Sequence, residues 1–402
     1  MKILFIHQYF GTPDIPGPTR AYWNCSEIIN KGHEVVVIRS SKKNKSLVEK
    51  EHFNGIDMIS LKVRYSNQMG VYRRFMAFVQ FMLLATWYAL REKDIDLVIA
   101  SSTPLTIGFP ALVLKKVKNI PYIFEVRDLW PEVPIQMGAV KNKLVIAIAR
   151  WFEKSIYDNA SSIIALSPGM ESGVIATGII EDKVVMIPNM SNVEIFYKRP
   201  TKGALAIKLG IASDAFKVVY FGALGLANSI DYILEAAKIL KDVSDIEFLF
   251  IGEGAMLTKI LEEKEAHNLD NVKYLGFFTL EETSEVVNEC NISLVTFGNL
   301  PILGTNSPTK LFDSLSAGKP IIVNSAGWTK KLVEDNKCGV FADPESAEDL
   351  ASKILYLKRS PSVMTEMSDN ARKLAETDFD KSLLCQKFYG VVENVISTSF
   401  VP

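Results

Sequence analysis

The sequence contains few of the residues that bind metals or form disulfides. Among 402 residues there are four cysteines and four histidines. No two of them have the spacing of a zinc site, so we expect no metal cofactor. The cysteines are scattered, which is typical of reduced thiols in the cytosol. These residues are Cys25, Cys290, Cys338 and Cys385, and His7, His33, His52 and His267.

An excess of charge of either sign is also missing. The chain carries 45 lysines and arginines against 46 acidic residues, a formal net charge of -1. This balance gives no support for a nucleic-acid partner. With 48% hydrophobic and 23% charged residues, the composition is that of a globular protein. The length favours two domains, since a single core seldom grows beyond about 250–300 residues.

Three common active-site motifs are absent from the sequence. It contains no G-x-S-x-G elbow, no P-loop and no G-x-G-x-x-G fingerprint. Their absence disfavours a serine hydrolase, a P-loop NTPase and a typical dehydrogenase.

No apolar run is long enough to predict a membrane-spanning helix. The apolar start, MKILFIHQYF, lacks a following cleavage site, so we expect a first strand there rather than a signal peptide. The most apolar segment, Phe75–Leu90, is shorter than the roughly 20 residues that span a bilayer. It is either a buried core helix or a helix in the membrane interface. In the second case the membrane contacts would be Arg73, Arg74, Phe75, Phe78 and Phe81.

What the sequence does contain is a regular alternation of strands and helices. In the first 190 residues a strand, a glycine- and proline-rich loop, a helix and a second strand form a βαβ unit, which predicts a parallel sheet. A polar connector over 193–213 precedes a second series of the same kind, and the end of the chain is mostly helical. The predicted strands are 3–7, 34–39, 97–100, 122–126, 162–166 and 184–187, and then 217–221, 247–251, 272–275, 292–295, 321–324 and 339–341.

This alternation predicts the α/β class, with two doubly wound domains in tandem. We place the domains at 1–195 and 196–382. Ligands of such sheets bind beyond the carboxyl ends of the strands, and two halves that face each other would enclose a cleft.

The most informative segment is Gly304–Asn324, GTNSPTKLFDSLSAGKPIIVN. Ser307 is a suitable N-cap for a short helix, with Pro308 at its first position. Lys310 is unusual, because a cation in the first turn opposes the helix dipole. Its placement is understandable if an external anion occupies the helix N-terminus. Asp313, one turn further on, is suited to sugar hydroxyls, so the segment predicts binding of a nucleotide or a sugar phosphate.

Glycine-rich loops follow three predicted strands of the second half. They contain Gly222 and Ala223, Gly252, and Gly276. A single glycine turn needs no functional reason, because tight loops after strands require glycine anyway. Three such loops at the carboxyl ends of strands favour a shared ligand site.

Charged residues in the first half offer a second candidate site. The strand ending at Val126 is followed by Arg127 and Asp128, where Asp128 could accept a proton and Arg127 could neutralise a leaving phosphate. A structural salt bridge is the alternative. The loop at Gly17 could bring backbone N–H groups to an anion, and Arg20 in the next helix would then assist. For Arg20 the alternative is a solvated side chain.

Seven segments together resemble the family-4 group of retaining GT-B glycosyltransferases. Within that group, EVRDLWPE is similar to the bacterial polysaccharide branch, which includes transferases of N-acetyl-fucosamine in O-antigen and capsule assembly. The resemblance covers nearly the whole chain. The segments are KGHEVVVI (31–38), EVRDLWPE (125–132), IPN (187–189), FGALG (221–225), FIGEG (250–254), YLGF (274–277) and SPTKLFDSLSAGKPIIV (307–323).

The resemblance implies a UDP-sugar donor held mainly by the second half. The family's E-x7-E motif falls on Thr305 and Asp313, so the ribose contact is kept and the first carboxylate is lost. The family's diphosphate-binding cations fall on Ala223 and Asn228, which leaves Lys310, Arg20 and the helix N-terminus at 307–310 to neutralise the diphosphate. The family's catalytic-region histidine falls on Arg127. The implied donor-binding residues are Gly17, Arg20, Gly222, Ala223, Leu224, Gly252, Phe277, Gly304, Thr305, Ser307, Thr309, Leu311 and Asp313, and the catalytic ones are Asp128, Arg127 and Lys310.

The resemblance also implies the reaction. A retaining enzyme of this group transfers the sugar by front-face attack without a protein nucleophile, and needs no metal here. The implied acceptor is a saccharide on a polyprenyl diphosphate, at the cytoplasmic face of the inner membrane, and the implied sugar is an N-acetylated amino sugar. A helix at about 383–402 is expected to pack on the first domain. A nucleotide-sugar epimerase and a catalytically silent sugar-nucleotide-binding subunit are the alternatives.

Overall fold

The chain is divided into two compact units in a computed structural model. The structure describes residues 1–15, 19–42, 44–65, 69–199, 207–211 and 215–399. The N-terminal unit comprises Met1–Pro13, Pro18–Pro188 and Ser382–Pro402. The C-terminal unit comprises Asp14–Gly17 and Asn189–Lys381. The main change between units therefore falls at Pro188, slightly before the boundary that the sequence analysis gave.

The N-terminal unit contains an eight-stranded sheet of order β3-β4-β2-β1-β5-β6-β7-β8. All neighbouring strands are parallel except β3 and β4. The strands are β1 Lys2–Ile6, β2 Glu34–Ser41, β3 Val48–Phe53, β4 Ile56–Lys62, β5 Leu97–Ser101, β6 Tyr122–Val126, β7 Ser162–Ala165 and β8 Val184–Met186. The helices are α1 Arg20–Asn30, α2 Val71–Arg91, α3 Gly108–Lys118, α4 Glu132–Gln136, α5 Lys143–Asn159 and α6 Pro168–Ala176.

Strands β3 and β4 form a hairpin that the sequence analysis missed. The turn between them is Asn54-Gly55, and both residues have positive φ, 47° and 82°. Asn-Gly is the preferred sequence for such a turn, because its backbone twist matches that of the strands. The signal was therefore present, but the middle of β3 is charged and polar, EKEH, and lacks the apolar pattern of a strand.

The C-terminal unit contains a parallel six-stranded sheet of order β11-β10-β9-β12-β13-β14. Its core strands are short apolar runs buried on both faces, as expected where helices cover a parallel sheet. The strands are β9 Phe216–Phe221, β10 Ile246–Ile251, β11 Val272–Gly276, β12 Ile292–Val295, β13 Ile321–Val323 and β14 Gly339–Phe341. The helices are α7 Ile230–Ile239, α8 Leu257–His267, α9 Leu280–Asn288, α10 Thr309–Ser316, α11 Trp328–Asp335, α12 Ala347–Lys358 and α13 Pro361–Thr377.

The last helix, α14 Lys381–Ser399, belongs almost entirely to the N-terminal unit. Cys385 Sγ lies 3.5 Å from Asn24 Oδ1 on α1, and Tyr389 Oη lies 3.0 Å from a ring nitrogen of His33.

Helix α2 contains the apolar segment for which the sequence left two interpretations. Phe81 is fully buried and Phe78 is 9% exposed, whereas Phe75 is 56% exposed. Phe78 and Phe81 were therefore wrong as membrane contacts, because they point into the core of the unit. Phe75, together with the exposed Arg73, lies on the outer side of the helix, while Arg74 is half-buried. In the described part of the chain, no helix combines the length and the hydropathy needed to cross a membrane.

Candidate functional site

The strand order of each sheet determines where a ligand site is expected. In the C-terminal sheet the chain runs outward from β9 to β10 and β11, then returns to place β12 on the other side of β9. In the N-terminal sheet the same reversal lies between β1 and β5. Such reversals open a crevice at the carboxyl ends of the two strands. Each unit therefore offers one candidate half-site.

Lys310 lies at the reversal point of the C-terminal sheet. Its Nζ donates a hydrogen bond to the Tyr220 hydroxyl and lies 3.8 Å from the centre of the Tyr220 ring. The ring of Phe297, just after β12, is 6.0 Å away. Tyr220 Oη in turn donates to Ala223 O at 2.7 Å, which fixes the lysine beneath the loop that follows β9.

The charge of Lys310 has no counter-charge in this part of the protein. The side chain is buried, and among the described residues no carboxylate lies within ion-pair distance of Nζ. Burial lowers the pKa of Lys310 to about 7, since no neighbouring anion offsets the loss of solvation. A buried cation without a partner is a feature of functional sites, because a bound anion would supply the missing charge.

Asp313 is a second buried ionisable group on the same helix. It lies three positions after Lys310, which places both side chains on neighbouring positions of one face of α10. Burial raises the pKa of Asp313 to about 8, and no hydrogen bond to its carboxyl group is found within the described ranges. The carboxyl group is thus available to accept hydrogen bonds from a ligand.

The glycines after β9 and β10 allow two loops to pack at backbone distance. A Cβ atom on Gly252 would lie 1.8 Å from Gly222 O, and one on Gly254 would lie 2.1 Å from Leu224 O. Gly222 N donates to Ile251 O at 2.9 Å, and Leu224 N donates to Glu253 O at the same distance. Gly222 also lies against Lys310, since a Cβ there would be 3.4 Å from Lys310 Cε. These glycines therefore hold the loop over the lysine.

We expect Gly252→Ala to disrupt this arrangement. Its φ of +136° disfavours any side chain, and the added carbon would overlap Gly222 O, so the loop must move away from Lys310. UDP affinity, measured by calorimetry, should fall about tenfold or more, and the free energy of unfolding should fall by roughly 1–3 kcal/mol.

Gly32→Ala is the matched control for Gly252→Ala. Its φ of +85° also disfavours a side chain, but it lies in the N-terminal unit and no atom lies within 4 Å of an added Cβ. It should lose some stability and keep most of its UDP affinity. Equal UDP affinity in the two variants would show that the loop contact has no role in the site.

The start of α10 differs from the predicted cap. The structure has Pro308 as the N-cap residue and Thr309 as the first helical residue, so Ser307 does not cap the helix. Instead, the Ser307 hydroxyl accepts from Asn189 N at 3.3 Å, and its carbonyl accepts from the Asn189 side chain. The prediction was wrong because Asn189, distant in sequence, uses the groups that a local cap would need.

Other predicted donor residues fall into two groups. Leu224 and Leu311 are fully buried, so their side chains belong to the core rather than to a ligand surface. Phe277, Ala223 and Thr309 are exposed.

Two residues that precede α10 have internal contacts. Thr305 Oγ1 donates to Ile302 O at 2.7 Å, and Gly304 O lies so close to Gly327 that a Cβ there would be 2.0 Å away.

Arg20 has a partner inside the N-terminal unit. It is 5% exposed, and its Nε lies 2.9 Å from Glu125 Oε1. Its remaining nitrogens donate to Pro188 O and, at 3.1 Å, to Ile187 O. The solvated alternative for Arg20 is therefore wrong, and the charge that we expected to meet an external anion is neutralised by Glu125.

Burial raises the pKa of Glu125, but the guanidinium groups of Arg20 and Arg127 and the Ser101 hydroxyl outweigh it. The pKa therefore lies below its ordinary value. The salt-bridge alternative is correct for this glutamate.

Arg127 and Asp128 lie at the reversal point of the N-terminal sheet, half-buried. His7 Nδ1 donates to Ser101 O at 2.9 Å, so its Nε2 accepts from Arg127 Nη1 at 2.9 Å. Burial and Arg127 lower the pKa of His7 to about 3, so the ring stays neutral. Asp128 Oδ2 accepts from Thr103 Oγ1 at 2.7 Å, and burial raises the pKa of Asp128. Gly17, another residue that the sequence predicted to contact the donor, lies outside the described residues.

Comparison with known proteins supports the two-domain reading of the chain. Residues 18–190 match the glycosyl transferase 4-like domain, and residues 202–374 match glycosyl transferases group 1. Together the two models cover most of the sequence. The chain is a glycosyltransferase of the GT-B fold.

Individual relatives are distant but match over long stretches. This glycosyltransferase is 21% identical to a probable glycosyltransferase, WbjE, of Pseudomonas aeruginosa, over 86% of each chain. It is 22% identical to a UDP-N-acetylglucosamine–N-acetylmuramyl-(pentapeptide) pyrophosphoryl-undecaprenol N-acetylglucosamine transferase of Thermoanaerobacter, over 71% of each. A solved structure of Anabaena Alr3699/HepE with UDP-glucose superposes with a TM-score of 0.72 at 18% identity, over 98% of this chain and all of the other.

Two residues of the half-sites were missed by sequence reasoning. Tyr220 lies within a buried strand, so its position in the sequence predicts a core residue. No neighbouring residue in the sequence indicates that its hydroxyl contacts Lys310. His7 was set aside because it belongs to no motif. It follows the first strand directly, however, and a polar residue in that position of a parallel sheet is a signal for a site.

Proposed function

We propose that this glycosyltransferase moves a sugar from a UDP-sugar to a saccharide carried on a polyprenyl diphosphate, with retention of the anomeric configuration. The observation that carries the proposal is the pair of buried groups, Lys310 and Asp313, beside the glycine loops of the C-terminal unit. The UDP-glucose bound by the HepE structure supports the choice of donor.

The C-terminal unit provides the groups that a nucleotide donor needs. Lys310 would bind the diphosphate, and Asp313 would accept hydrogen bonds from the ribose hydroxyls. Phe277 lies exposed after β11, where its backbone could contact the base. Thr305 has no carboxylate for the donor sugar, so sugar recognition would depend on backbone groups near Gly304.

The diphosphate is the leaving group, and its departure develops negative charge. Lys310 is held in place by Tyr220 before any ligand arrives, so the cation needs little rearrangement to stabilise that charge. Lys310 could therefore stabilise the diphosphate charge that other members of the family stabilise with cations at the positions of Ala223 and Asn228. We therefore propose that the reaction needs no divalent metal.

The N-terminal unit provides a fixed pair of groups for the acceptor. Neutral His7 orients the Arg127 guanidinium, which could bind an acceptor phosphate or the leaving diphosphate. The raised pKa of Asp128 moves it toward the range where a carboxylate works as a general base. The leaving diphosphate could alternatively take the acceptor's proton itself.

The named relatives support a lipid-linked acceptor and an amino sugar. The Thermoanaerobacter enzyme transfers N-acetylglucosamine to a pyrophosphoryl-undecaprenol compound, according to its name. We propose a comparable acceptor, and an N-acetylated amino sugar such as N-acetyl-L-fucosamine as the group transferred. We further propose that the protein acts in surface-polysaccharide assembly at the cytoplasmic face of the inner membrane.

A panel of UDP-sugars tested with a short-chain lipid diphosphate saccharide would examine the proposal. We expect transfer from a UDP-activated N-acetylated amino sugar, a product with the donor's anomeric configuration by NMR, and equal rates with EDTA or Mg²⁺. Conversion of the donor without an acceptor would indicate an epimerase instead. Tight UDP binding with no transfer to any acceptor would indicate a silent binding subunit, and loss of activity in EDTA would refute the metal-independent reaction.

A further inference from the structure

Large apolar side chains that face solvent are concentrated on two helices of the N-terminal unit. On α5 they recur every three or four residues, at Leu144, Ile148 and Trp151, and therefore lie along one side of the helix. Leu144 and Trp151 are each 70% exposed. On α2 the exposed apolar residues are Val71, Tyr72, Phe75, Met76, Leu83 and Trp87.

These stripes are separate from the sides that pack on the sheet. The buried residues of α5 are Glu153, Ile156 and Tyr157, all in its second half. Those of α2 include Phe78 and Phe81. Each helix thus already has an inner side in the core, and the exposed stripe needs a partner outside the unit.

The two stripes lie near the carboxyl ends of the strands of the N-terminal sheet, where Arg127 and Asp128 also lie. Helices that follow parallel strands begin at the carboxyl edge, and most of the exposed residues are in the first halves of α2 and α5. Helix α3 packs between them, against both.

Contacts link each stripe-bearing helix to the segment after β6. The ring of Phe78 lies 6.0 Å from that of Trp130, and Arg150 Nη2 on α5 lies 2.7 Å from Glu132 Oε1. Any surface formed by the two stripes is therefore attached directly to the segment that contains the acceptor residues.

Most of the charge around the stripes is positive: on α5, Glu153 is buried and Asp158 lies two turns beyond Trp151, although Arg150 already pairs with Glu132. Helix α2 contains Arg73, Arg74 and Arg91, and α3 contains three lysines near its end, with no acidic residue in either. The segment 141–152 adds Lys141, Lys143 and Arg150, again without an acidic residue. This local excess stands out in a chain with a net charge of -1.

We propose that the exposed stripes of α2 and α5 form one docking surface for an anionic lipid bilayer. The apolar side chains would enter the acyl boundary while the flanking cations contact anionic headgroups. A second copy of the chain fits less well, because the same positive charges would face each other. The proposal rests on the lipid-linked acceptor suggested above, and explains how such an acceptor reaches Arg127 and Asp128.

Vesicle co-sedimentation without nucleotide or acceptor tests the surface alone. The wild-type protein should bind vesicles of phosphatidylcholine with about one third phosphatidylglycerol, and bind pure phosphatidylcholine more weakly. Leu144→Ser, Ile148→Ser and Trp151→Ser combined should lower the partition coefficient about tenfold or more. Phe75→Ser with Met76→Ser should act in the same direction.

A control of the same size removes three exposed apolar residues from the C-terminal unit, by Ile239→Ser, Leu261→Ser and Tyr356→Ser. It should bind vesicles like the wild type, and all variants should keep the wild-type circular dichroism and UDP affinity. Vesicle binding by the α5 variant as strong as that of the wild type would overturn the proposal. A wild-type dimer that becomes monomeric in the α5 variant, with vesicle binding unchanged, would overturn it too and would assign the surface to a second copy of the chain. Sugar transfer to a water-soluble acceptor is measured separately. The proposed reaction can therefore be refuted while vesicle binding supports the docking surface, and the docking surface can be refuted while sugar transfer supports the proposed reaction.

Discussion

Replacing Lys310 by alanine should weaken UDP binding by roughly 1.5–3 kcal/mol, which is about a ten- to 150-fold loss of affinity. The reason is that Lys310 is a buried cation with no counter-charge among the described residues, fixed by Tyr220 at the point where the sheet reverses. A diphosphate would supply that counter-charge. Turnover should fall at least as much as affinity, because charge on the leaving diphosphate increases in the transition state. Calorimetry with UDP and steady-state rates measure the two effects.

The same lysine should make UDP binding depend on pH. Its pKa of about 7 in the free protein means that it loses its proton as the pH rises above 7. A bound diphosphate favours the charged form of Lys310, so above pH 7 the lysine must take up a proton when UDP binds. UDP affinity should therefore fall by up to about tenfold for each unit by which the pH rises. Asp313, with a pKa of about 8, titrates in the same window. The slope is therefore best measured in Asp313→Asn and compared with Asp313→Asn combined with Lys310→Ala, where it should vanish.

Lys273→Ala is the matched control for the Lys310 variant. Lys273 lies in the same unit, but its Nζ pairs with Glu247 Oε1 at 2.7 Å, so it has a partner already. Its removal should leave UDP affinity unchanged. If Lys310→Ala also left affinity and turnover unchanged, the diphosphate site would have to be assigned elsewhere.

Replacing Glu125 by leucine should destabilise the N-terminal unit by about 3–5 kcal/mol. The substitution leaves the Arg20 guanidinium buried without its carboxylate, and a lone buried charge costs far more than the pair contributes. Urea unfolding followed by tryptophan fluorescence would measure this, since four of the five tryptophans, Trp23, Trp87, Trp130 and Trp151, belong to this unit.

The pH dependence of the Glu125 effect has a definite sign. Because the folded protein holds the pKa of Glu125 below its ordinary value, the stabilisation is present above that ordinary value and is lost as the pH falls through the folded pKa. The wild type and Glu125→Leu should therefore approach each other in stability at acid pH. Arg20→Met combined with Glu125→Leu should recover much of the loss, since the buried guanidinium of Arg20 is removed together with its carboxylate partner. A double variant as unstable as the single one would show that packing, rather than charge, accounts for the effect.

The predicted strands agree well with the structure, for a local reason. A central strand of a parallel sheet is covered by helices on both faces, so it appears as a short uninterrupted apolar run. Strand β6 and strand β12 were predicted with the bounds that the structure has. For the mostly helical end of the chain the sequence analysis gave bounds only for the last helix, at about 383–402, and the structure begins that helix, α14, at Lys381.

The predictions that failed concern partners rather than elements. Phe78 and Phe81 lie on the side of α2 that packs on the core, and Phe75 lies on the exposed side. The sequence of an almost uniformly apolar helix does not indicate which side is buried. Ser307 looks like a cap until Asn189 is found beside it, 118 residues away in the chain.

The sequence by itself determined that this protein has two α/β domains with largely parallel sheets and polar residues at the strand ends, and that Lys310 is misplaced for an ordinary helix. Both are local properties, set by burial patterns and by the helix dipole over a few residues. Only the tertiary structure decided which charge meets which partner. Arg20 pairs with Glu125, 105 residues away, whereas Lys310 contacts a tyrosine hydroxyl 90 residues away and no carboxylate among the described residues. The electrostatic state of a buried group depends on everything packed around it, and those neighbours come from distant parts of the chain.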